Sequence, residues 1–584
     1  MAQWKQIAAA QAVLARETGA VRKDHGGKLR IALAYPNRYS VGMSSLALQI
    51  LYRMWNARPD VVCERVFWDE QALAEGLPLI SLESGLPVNE FDVWAFTVSF
   101  EMDYFHVAAM LRHAGVFTGV RADAAGPVFT DEGDRPLLIA GGPALSMNPE
   151  PLAPFFDAVL IGEAEEALPR LTDLLVEHAG AEREAQLAAL AGLPGVYLPA
   201  IMGPGARVER LWVRDTAQLQ PVSCLYTPDS EFPNRHLIEI ARGCGRGCRF
   251  CLAGYVYRPP REQPLARILE WAREGLTRQL PIFAHGGPAG VQPPGIGLVS
   301  AAVSDHSQID ELAVALQEMG ARISVSSMRT DPISAPLVRA LAASGAQTLT
   351  IAPEAGTERL RRVIGKTQCE DDLLAAVALA QELNFPQLKM YFMVGHPTET
   401  DEDIQGIVEL THAARKVFRR NVTINATPFV PKAHTPFQLM AMTPAKVVAA
   451  RQRTLKKALA PHGVAVDADS PEWAEIQGVL ARGDRRLARV LWETPRVTVR
   501  DFRSALAAHG LAAAEFLGPR AADAPQPWDV VESGVTPSFY RYEARLAAQE
   551  RPGHRCPPGC GAADSGVDCL MCGVCRAVFP EPAR

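Results

Sequence analysis

Along residues 28–200, short apolar runs alternate with stretches whose apolar positions recur at helical spacing. Residues 29–34, 61–67, 93–99, 136–140 and 158–161 read as strands. Ser44 opens a helix with Leu46, Ile50, Leu51 and Met54 on one face, and residues 102–114 are helical in the same way. This alternation predicts an open parallel sheet of Rossmann-like type, which binds ligands at the C-terminal ends of its strands. The pattern resumes at His236. Six further strand–helix units are expected, with strands near residues 236–240, 296–303, 322–325, 348–351, 387–393 and 421–426. In such units the loops after the strands carry the chemistry. A Gly/Pro-rich insertion at 285–295 precedes the second of them.

The rest of the chain divides by composition. Residues 1–27 hold an amphipathic helix, interrupted by Lys5, Arg16 and Glu17, which is unlike a secretory signal. Residues 201–235 read as a linker or hairpin, 441–550 as a helical or α+β region, and 551–584 as a cysteine-rich tail. The 584 residues suggest two to four domains of about 150 residues each. Lys plus Arg is 59 and Asp plus Glu 65, a net charge of −6, which argues against non-specific wrapping of nucleic acid. No apolar run reaches about 18 residues, so no membrane span is expected. The 11 cysteines cluster as metal ligands do, which fits a reducing cytoplasm.

Three of these cysteines fall within eight residues: Cys244-Gly245-Arg246-Gly247-Cys248-Arg249-Phe250-Cys251, directly after the first strand of the second set. Three thiolates this close suit three corners of a cubane iron–sulfur cluster, with the fourth iron open to a substrate or cofactor. A disulfide with a spare thiol needs an oxidising compartment, and structural zinc wants four ligands.

The pattern, with an aromatic residue before the last cysteine, resembles the radical S-adenosylmethionine superfamily, in particular an uncharacterised group with an N-terminal extension like a cobalamin-binding domain. The resemblance implies a partial (β/α)6 barrel over 236–440, after the Rossmann-like module of 28–200. It implies a [4Fe–4S] cluster on Cys244, Cys248 and Cys251 and S-adenosylmethionine at its open iron. Cleavage of that cofactor would give a 5′-deoxyadenosyl radical that takes hydrogen from a substrate. Residue by residue, Phe250 stands where backbone approaches adenine. Ser304 or Asp305 stands where the methionyl amino group is held, although the usual Gly-Gly-Glu is absent. Glu354 stands at a ribose contact, and Gly395, in Gly395-His396-Pro397-Thr398-Glu399, at a close approach to adenine. Gly141-Gly142-Pro143 and Gly162-Glu163 resemble the fourth- and fifth-strand loops of cobalamin domains. The Asp-x-His-x-x-Gly element is missing, so no histidine is offered to cobalt in the usual way. A corrinoid site and a scaffold that kept the fold without the cofactor both remain open.

Arg451, Arg453, Lys456, Lys457, Arg482, Arg485, Arg486 and Arg489 give 441–550 a basic character, read as a solvated helix face or an RNA contact. In the tail, Cys569, Cys572 and Cys575 repeat a ferredoxin spacing, with Cys556 or Cys560 as a fourth ligand. This predicts a second iron–sulfur cluster or a zinc site. The leading expectation is radical modification of an unactivated carbon, with methyl transfer if cobalamin binds. It would use a flavodoxin- or ferredoxin-type electron donor and an RNA, protein or other substrate. The alternatives are a methylthiotransferase-like modifier of RNA or ribosomal protein, and a non-catalytic iron–sulfur scaffold or maturation protein. The methylthiotransferase reading is weakened because the N-terminal region offers only Cys63.

Overall fold

The computed structural model describes residues 2–123, 126–131, 133, 135–203, 205–284, 295–326 and 328–557, with Cys560, Cys569 and residues 571–575. The insertion expected at 285–295 lies outside these residues except for Gly295.

Six strands form the N-terminal sheet, in the order Val61–Phe67, Leu29–Tyr35, Val93–Thr97, Leu137–Gly141, Ala158–Leu160 and Val196–Tyr197. The first five run parallel and the last antiparallel. Helices cover both faces, which is why the strands are apolar almost throughout. On one face Ile31, Leu33, Ala95 and Ile139 pack with Leu48 and Trp55 of helix Leu46–Asn56 and Leu171 of helix Leu168–Glu177. Ser45, not Ser44, caps the first of these, accepting from the Leu48 N–H.

The other face holds Ala32, Trp94, Phe96 and Leu138. It meets helix Tyr104–His113 and, from the far end of the chain, helices Pro471–Arg482, Arg486–Glu493 and Val499–Ala508. The 441–550 segment is thus shared between modules, since these helices complete the N-terminal core while helix Ala445–Leu459 packs in the core of the second. A hairpin of Gly119–Asp123 and Gly126–Thr130 also leaves the sheet, which the apolar pattern does not predict.

The second module is an open parallel sheet. Arg235–Glu239, Gly295–Val299 and Arg322–Ser324 form one group. Thr348–Glu354, Gln387–Val394, Asn421–Pro428 and Val464–Asp467 form the next, and a parallel bridge between Met328 and Ile351 joins the two. The expected six strands are thus followed by a seventh, Val464–Asp467. No pairing among the described residues links the first strand to the last, so the barrel stays open. Along Gln387–Val394, Leu388, Met390, Phe392 and Val394 are buried in the helix-facing core. Side chains alternate across a strand, so Lys389, Tyr391 and Met393 belong to the inner face.

The two modules are joined through buried charge. Glu163, after the fifth N-terminal strand, accepts from Arg261 at 2.6 and 2.9 Å and from Arg242 at 3.3 Å, and its Oε2 also accepts from the Val213 N–H. Arg242 in turn reaches Glu165 and Glu239 at 2.7 and 2.8 Å. Such a network stabilises only while every member keeps its partner. Glu163→Ala is expected to cost about 3–5 kcal/mol, because it strands buried guanidinium groups. Glu472→Ala, removing the exposed partner of Arg503, is expected to cost under about 1 kcal/mol. Denaturant titration followed by tryptophan fluorescence checks both, and equal effects would refute the distinction.

Candidate active site

The loop that carries Cys244, Cys248 and Cys251 lies between strand Arg235–Glu239 and the short helix Ala253–Val256. Its own arginines hold it. Arg246 grips Asp305 through two bonds of 2.7 and 2.6 Å and reaches Asp331 at 3.3 Å. Arg249 pairs with Glu543 of helix Pro537–Ala548 at 2.9 Å, and both side chains are inaccessible to solvent. The remaining Arg249 donors bond the carbonyls of Arg362, Val363 and Arg551. The cysteines are therefore presented on a loop whose ends and middle are tied to three other elements.

The surroundings suit anionic sulfur. Burial, and then neighbouring Cys248, pushes the Cys244 thiol up to about 12. Burial also raises Cys251, with Cys248 and Glu354 adding to it. Such thiols ionise only beside cations or on a metal. Arg329 is the cation, with Nη1 3.8 Å from the Cys248 Sγ, and it is held by Asp331 at 3.3 Å.

The other expected residues fall around this loop in distinct roles. Asp305 is engaged by Arg246, and Ser304 Oγ accepts from the Arg329 N–H at 3.4 Å. Glu354 has left-handed backbone, φ 67°, at a register shift in its strand, and its carboxylate meets Lys366 at 3.1 Å. A non-glycine residue held there is strained, a state that clusters at functional sites. The Gly395 N–H donates to Glu399 at 2.7 Å, and Arg451 holds Glu399 at 2.6 Å. Phe250 faces His396 with ring centroids 5.9 Å apart, and Phe429 lies on the imidazole at 5.3 Å. Burial lowers the His396 pKa to about 4, against a smaller opposing effect of the Glu354 backbone, so the imidazole is neutral.

Between the modules lies a mostly apolar cavity of about 420 Å³. Gly141, Gly142 and Gly162 line it from the N-terminal sheet, Leu168 and Leu171 from a helix, and Ala253 and Tyr257 from the segment following Cys251. No histidine is among its lining residues. Gly142 and Gly162 also meet a requirement of the backbone. Both have positive φ, and a Cβ would come within 2.4 Å of the Val98 and Leu211 carbonyl oxygens respectively.

Sequence reasoning passed over Arg246, Arg249, Arg329 and Lys366. Apart from Asp331 beside Arg329, their acidic or sulfur partners lie 12 to 294 residues away, so no local pattern marks them. It also passed over the inner face of the open barrel, where Thr350, Lys389, Tyr391, Asn425 and Thr427 alternate with buried apolar residues. That alternation was legible. The basic character of 441–550 is divided, with Arg453, Lys456 and Lys457 exposed and the other arginines of the expected set paired or buried. Arg451, Arg485, Arg486 and Arg489 pair with Glu399, Glu150, Asp484 and Glu493, and Arg482 is buried on the Met440 and Gly518 carbonyls.

Residues 47–199 match the family described as radical SAM proteins, N-terminal, and residues 238–411 match the radical SAM superfamily. An uncharacterised protein of Methanocaldococcus jannaschii is 31% identical over 463 residues, which span 79% of this chain and 90% of that protein. The tRNA-2-methylthio-N(6)-dimethylallyladenosine synthase of Paracoccus denitrificans is 24% identical over 190 residues, 30% of this chain and 40% of the synthase. Among solved structures, the radical S-adenosylmethionine methyltransferase TsrM of Kitasatospora setae, with cobalamin and a [4Fe–4S] cluster bound, shares the fold. The TM-score is 0.50 at 13% identity, covering 82% of this chain and all of that one. With the cysteine loop at the strand end where its motif requires it, and a relative matched over nearly its whole length, this chain belongs to the radical S-adenosylmethionine superfamily and is an enzyme of it.

Proposed function

We propose that Cys244, Cys248 and Cys251 ligate a [4Fe–4S] cluster, that S-adenosylmethionine binds at its open iron, and that a corrinoid enters the cavity between the modules. The reaction would be modification of an unactivated carbon by methyl transfer. The observation that carries this reading is the cavity itself, an apolar space bounded on one side by the C-terminal ends of a Rossmann-like sheet and on the other by the segment that follows the third cysteine. When bound, the cluster and S-adenosylmethionine supply one-electron cleavage of the sulfonium and a carbon radical able to take hydrogen.

The residues of this chain then act by position and charge. Arg246 and Arg249 fix the loop so that the three thiolates stay in one arrangement. Arg329 offsets negative charge at Cys248. Phe250, Ser304, Glu354 and Gly395 stand on the strand-end loops around the cluster, where S-adenosylmethionine would be oriented. The aliphatic cavity wall excludes water from a bound corrinoid, and Gly141, Gly142 and Gly162 form its edge on the N-terminal sheet. With no histidine there, cobalt would have no imidazole ligand from the lining residues. A cavity of about 420 Å³ takes only part of so large a molecule, so the remainder would lie in the cleft outside it. The electron donor in this reading is a flavodoxin- or ferredoxin-type protein.

The likeness to the Paracoccus denitrificans synthase favours RNA as substrate, but two observations weigh against it. Arg451, Arg485, Arg486 and Arg489 are paired within the protein, which leaves Arg453, Lys456 and Lys457 as the exposed cations of the expected set for a phosphate backbone. Cys63 lies fully buried in its strand, away from any cluster-binding position.

With dithionite and S-adenosylmethionine, the anaerobically reconstituted protein should form 5′-deoxyadenosine. The Cys244→Ala/Cys248→Ala/Cys251→Ala variant should lose the cluster absorption and form none above background. Equal product from both proteins would defeat the assignment. For the corrinoid, Gly141→Leu is the informative change. A Cβ there meets the Leu160 carbonyl at 3.4 Å, an ordinary contact, so bulk enters beside the cavity without backbone strain. It should weaken corrinoid binding about tenfold or more, while 5′-deoxyadenosine formation in the absence of substrate persists. Unchanged corrinoid affinity, read by absorbance titration, would place the corrinoid elsewhere.

A further inference from the structure

Spacing alone groups Cys569, Cys572 and Cys575 as one run. Folding groups the tail cysteines differently. Cys560 Sγ lies 3.2 Å from Cys575 Sγ, and Cys556 is close enough for the two thiols to interact electrostatically. Cys572 is buried in an apolar cluster with Trp212, Tyr255, Phe539 and Val574, and its carbonyl accepts from the Thr536 N–H at 2.9 Å. No contact among the described residues ties Cys569 to the other four.

This group is docked on the radical loop. The Cys556 N–H donates to the Gly245 carbonyl at 2.7 Å. A Cβ on Gly245 would come within 2.9 Å of the Cys556 Cβ, and one on Gly247 within 2.1 Å of the His554 carbonyl oxygen. The glycines between Cys244 and Cys248 are therefore the landing surface of the tail.

Arg258 lies against both cysteine groups. It is fully buried, and its charge faces Cys556, Tyr255, Cys572 and Cys244. Its guanidinium lies 5.2 Å from the Tyr255 ring centroid and 5.7 Å from that of Phe539. Among the described residues no carboxylate pairs with it, and its Nε has no hydrogen-bond partner. A buried cation requires an anion close by. The groups facing it are thiols, which supply that anion as thiolates, and thiols on a metal are deprotonated outright. Four thiolates on a divalent ion carry two net negative charges.

We propose that Cys556, Cys560, Cys572 and Cys575 bind one zinc ion in a tetrahedral thiolate site that fastens the tail onto the Cys244–Cys251 loop, with Arg258 as its counter-charge. Among the described residues no three such side chains yet surround a single point at ligand distance. The contact of Cys560 with Cys575 speaks against a cubane, and the iron and sulfide analysis below separates zinc from a [2Fe–2S] cluster, which also holds two thiolates on one metal. Ligands at about 2.3 Å from one ion stand about 3.8 Å apart, close to sulfur–sulfur contact. The thiolates of a cubane bind separate irons at its corners and stand much farther apart. Binding releases the four thiol protons to solvent, so zinc affinity falls as pH falls.

The test uses the full chain, purified anaerobically and analysed for zinc, iron and sulfide. About one zinc per chain is expected in the wild type and in Cys569→Ser. The Cys560→Ser/Cys575→Ser variant should lose it and keep the iron and sulfide of the wild type. Cobalt(II) substituted into the wild type should show the intense visible bands of a tetrahedral thiolate site, a readout that needs no variant to fold. Loss of iron and sulfide in place of zinc, retention of zinc in the double variant, loss of zinc in Cys569→Ser, or absence of the cobalt bands would each overturn the site. The inference does not depend on the central cluster, whose failure would show as iron that does not respond to the Cys244, Cys248 and Cys251 substitutions.

Discussion

The geometry of the site depends on one buried ion pair. Arg249, between the second and third cysteines of the loop, meets Glu543 on a helix near the end of the chain, and neither side chain touches water. Two charges in such a place are tolerated only when their remaining hydrogen-bonding capacity is filled. Arg249 donates to three backbone carbonyls besides the carboxylate, and Glu543 also accepts from the His554 N–H and lies 3.0 Å from its Nδ1. Those partners come from the helix after strand Thr348–Glu354 and from the segment leading into the tail. The loop conformation is thus a property of the whole second module and not of the cysteine motif.

The cavity follows from a second constraint, the polarity of parallel sheets. Loops at the C-terminal ends of strands are the natural place for ligands in both modules. Here the strand ends of the N-terminal sheet are turned toward the strand ends of the open barrel, so the loops of one form a wall for the other. The charged junction of Glu163 with Arg261 and Arg242 sits beside that space and keeps its width. The result is an apolar cavity with a polar, fully paired rim, next to a lumen lined by polar side chains.

The strands were the most legible part of the chain. Val61–Phe67 is found as read, and the main strands of both modules begin within one residue of expectation, because the N-terminal strands are written as near-unbroken apolar runs and the later ones as apolar and polar positions in alternation. The seventh core strand, Val464–Asp467, has four residues and lies among basic helices, so it carries too little apolar signal to stand out. The Gly119–Asp123 hairpin is illegible for the same reason. Within the site, the loop cysteines were legible because metal ligands recur at short spacing. The arginines that hold them were not, since an ion pair such as Arg249 with Glu543 spans 294 residues and leaves no local trace. The glycines at 142 and 162 were read for close approach of a ligand, and the structure adds a second requirement at both, since each makes room for the chain's own backbone.

Helices between Pro471 and Ala508 cover the second face of the first sheet, and this sets an order of events during synthesis. Arg112, on the helix against that face, bonds the Trp492 carbonyl, a separation of 380 residues. At roughly 5–20 residues per second, the Trp94, Phe96 and Leu138 surface leaves the ribosome on the order of 20 to 80 seconds before its cover does. For that interval the nascent N-terminal module carries an uncovered apolar sheet. It is a species that aggregates or is held by a chaperone, and it becomes a finished domain only once those helices arrive.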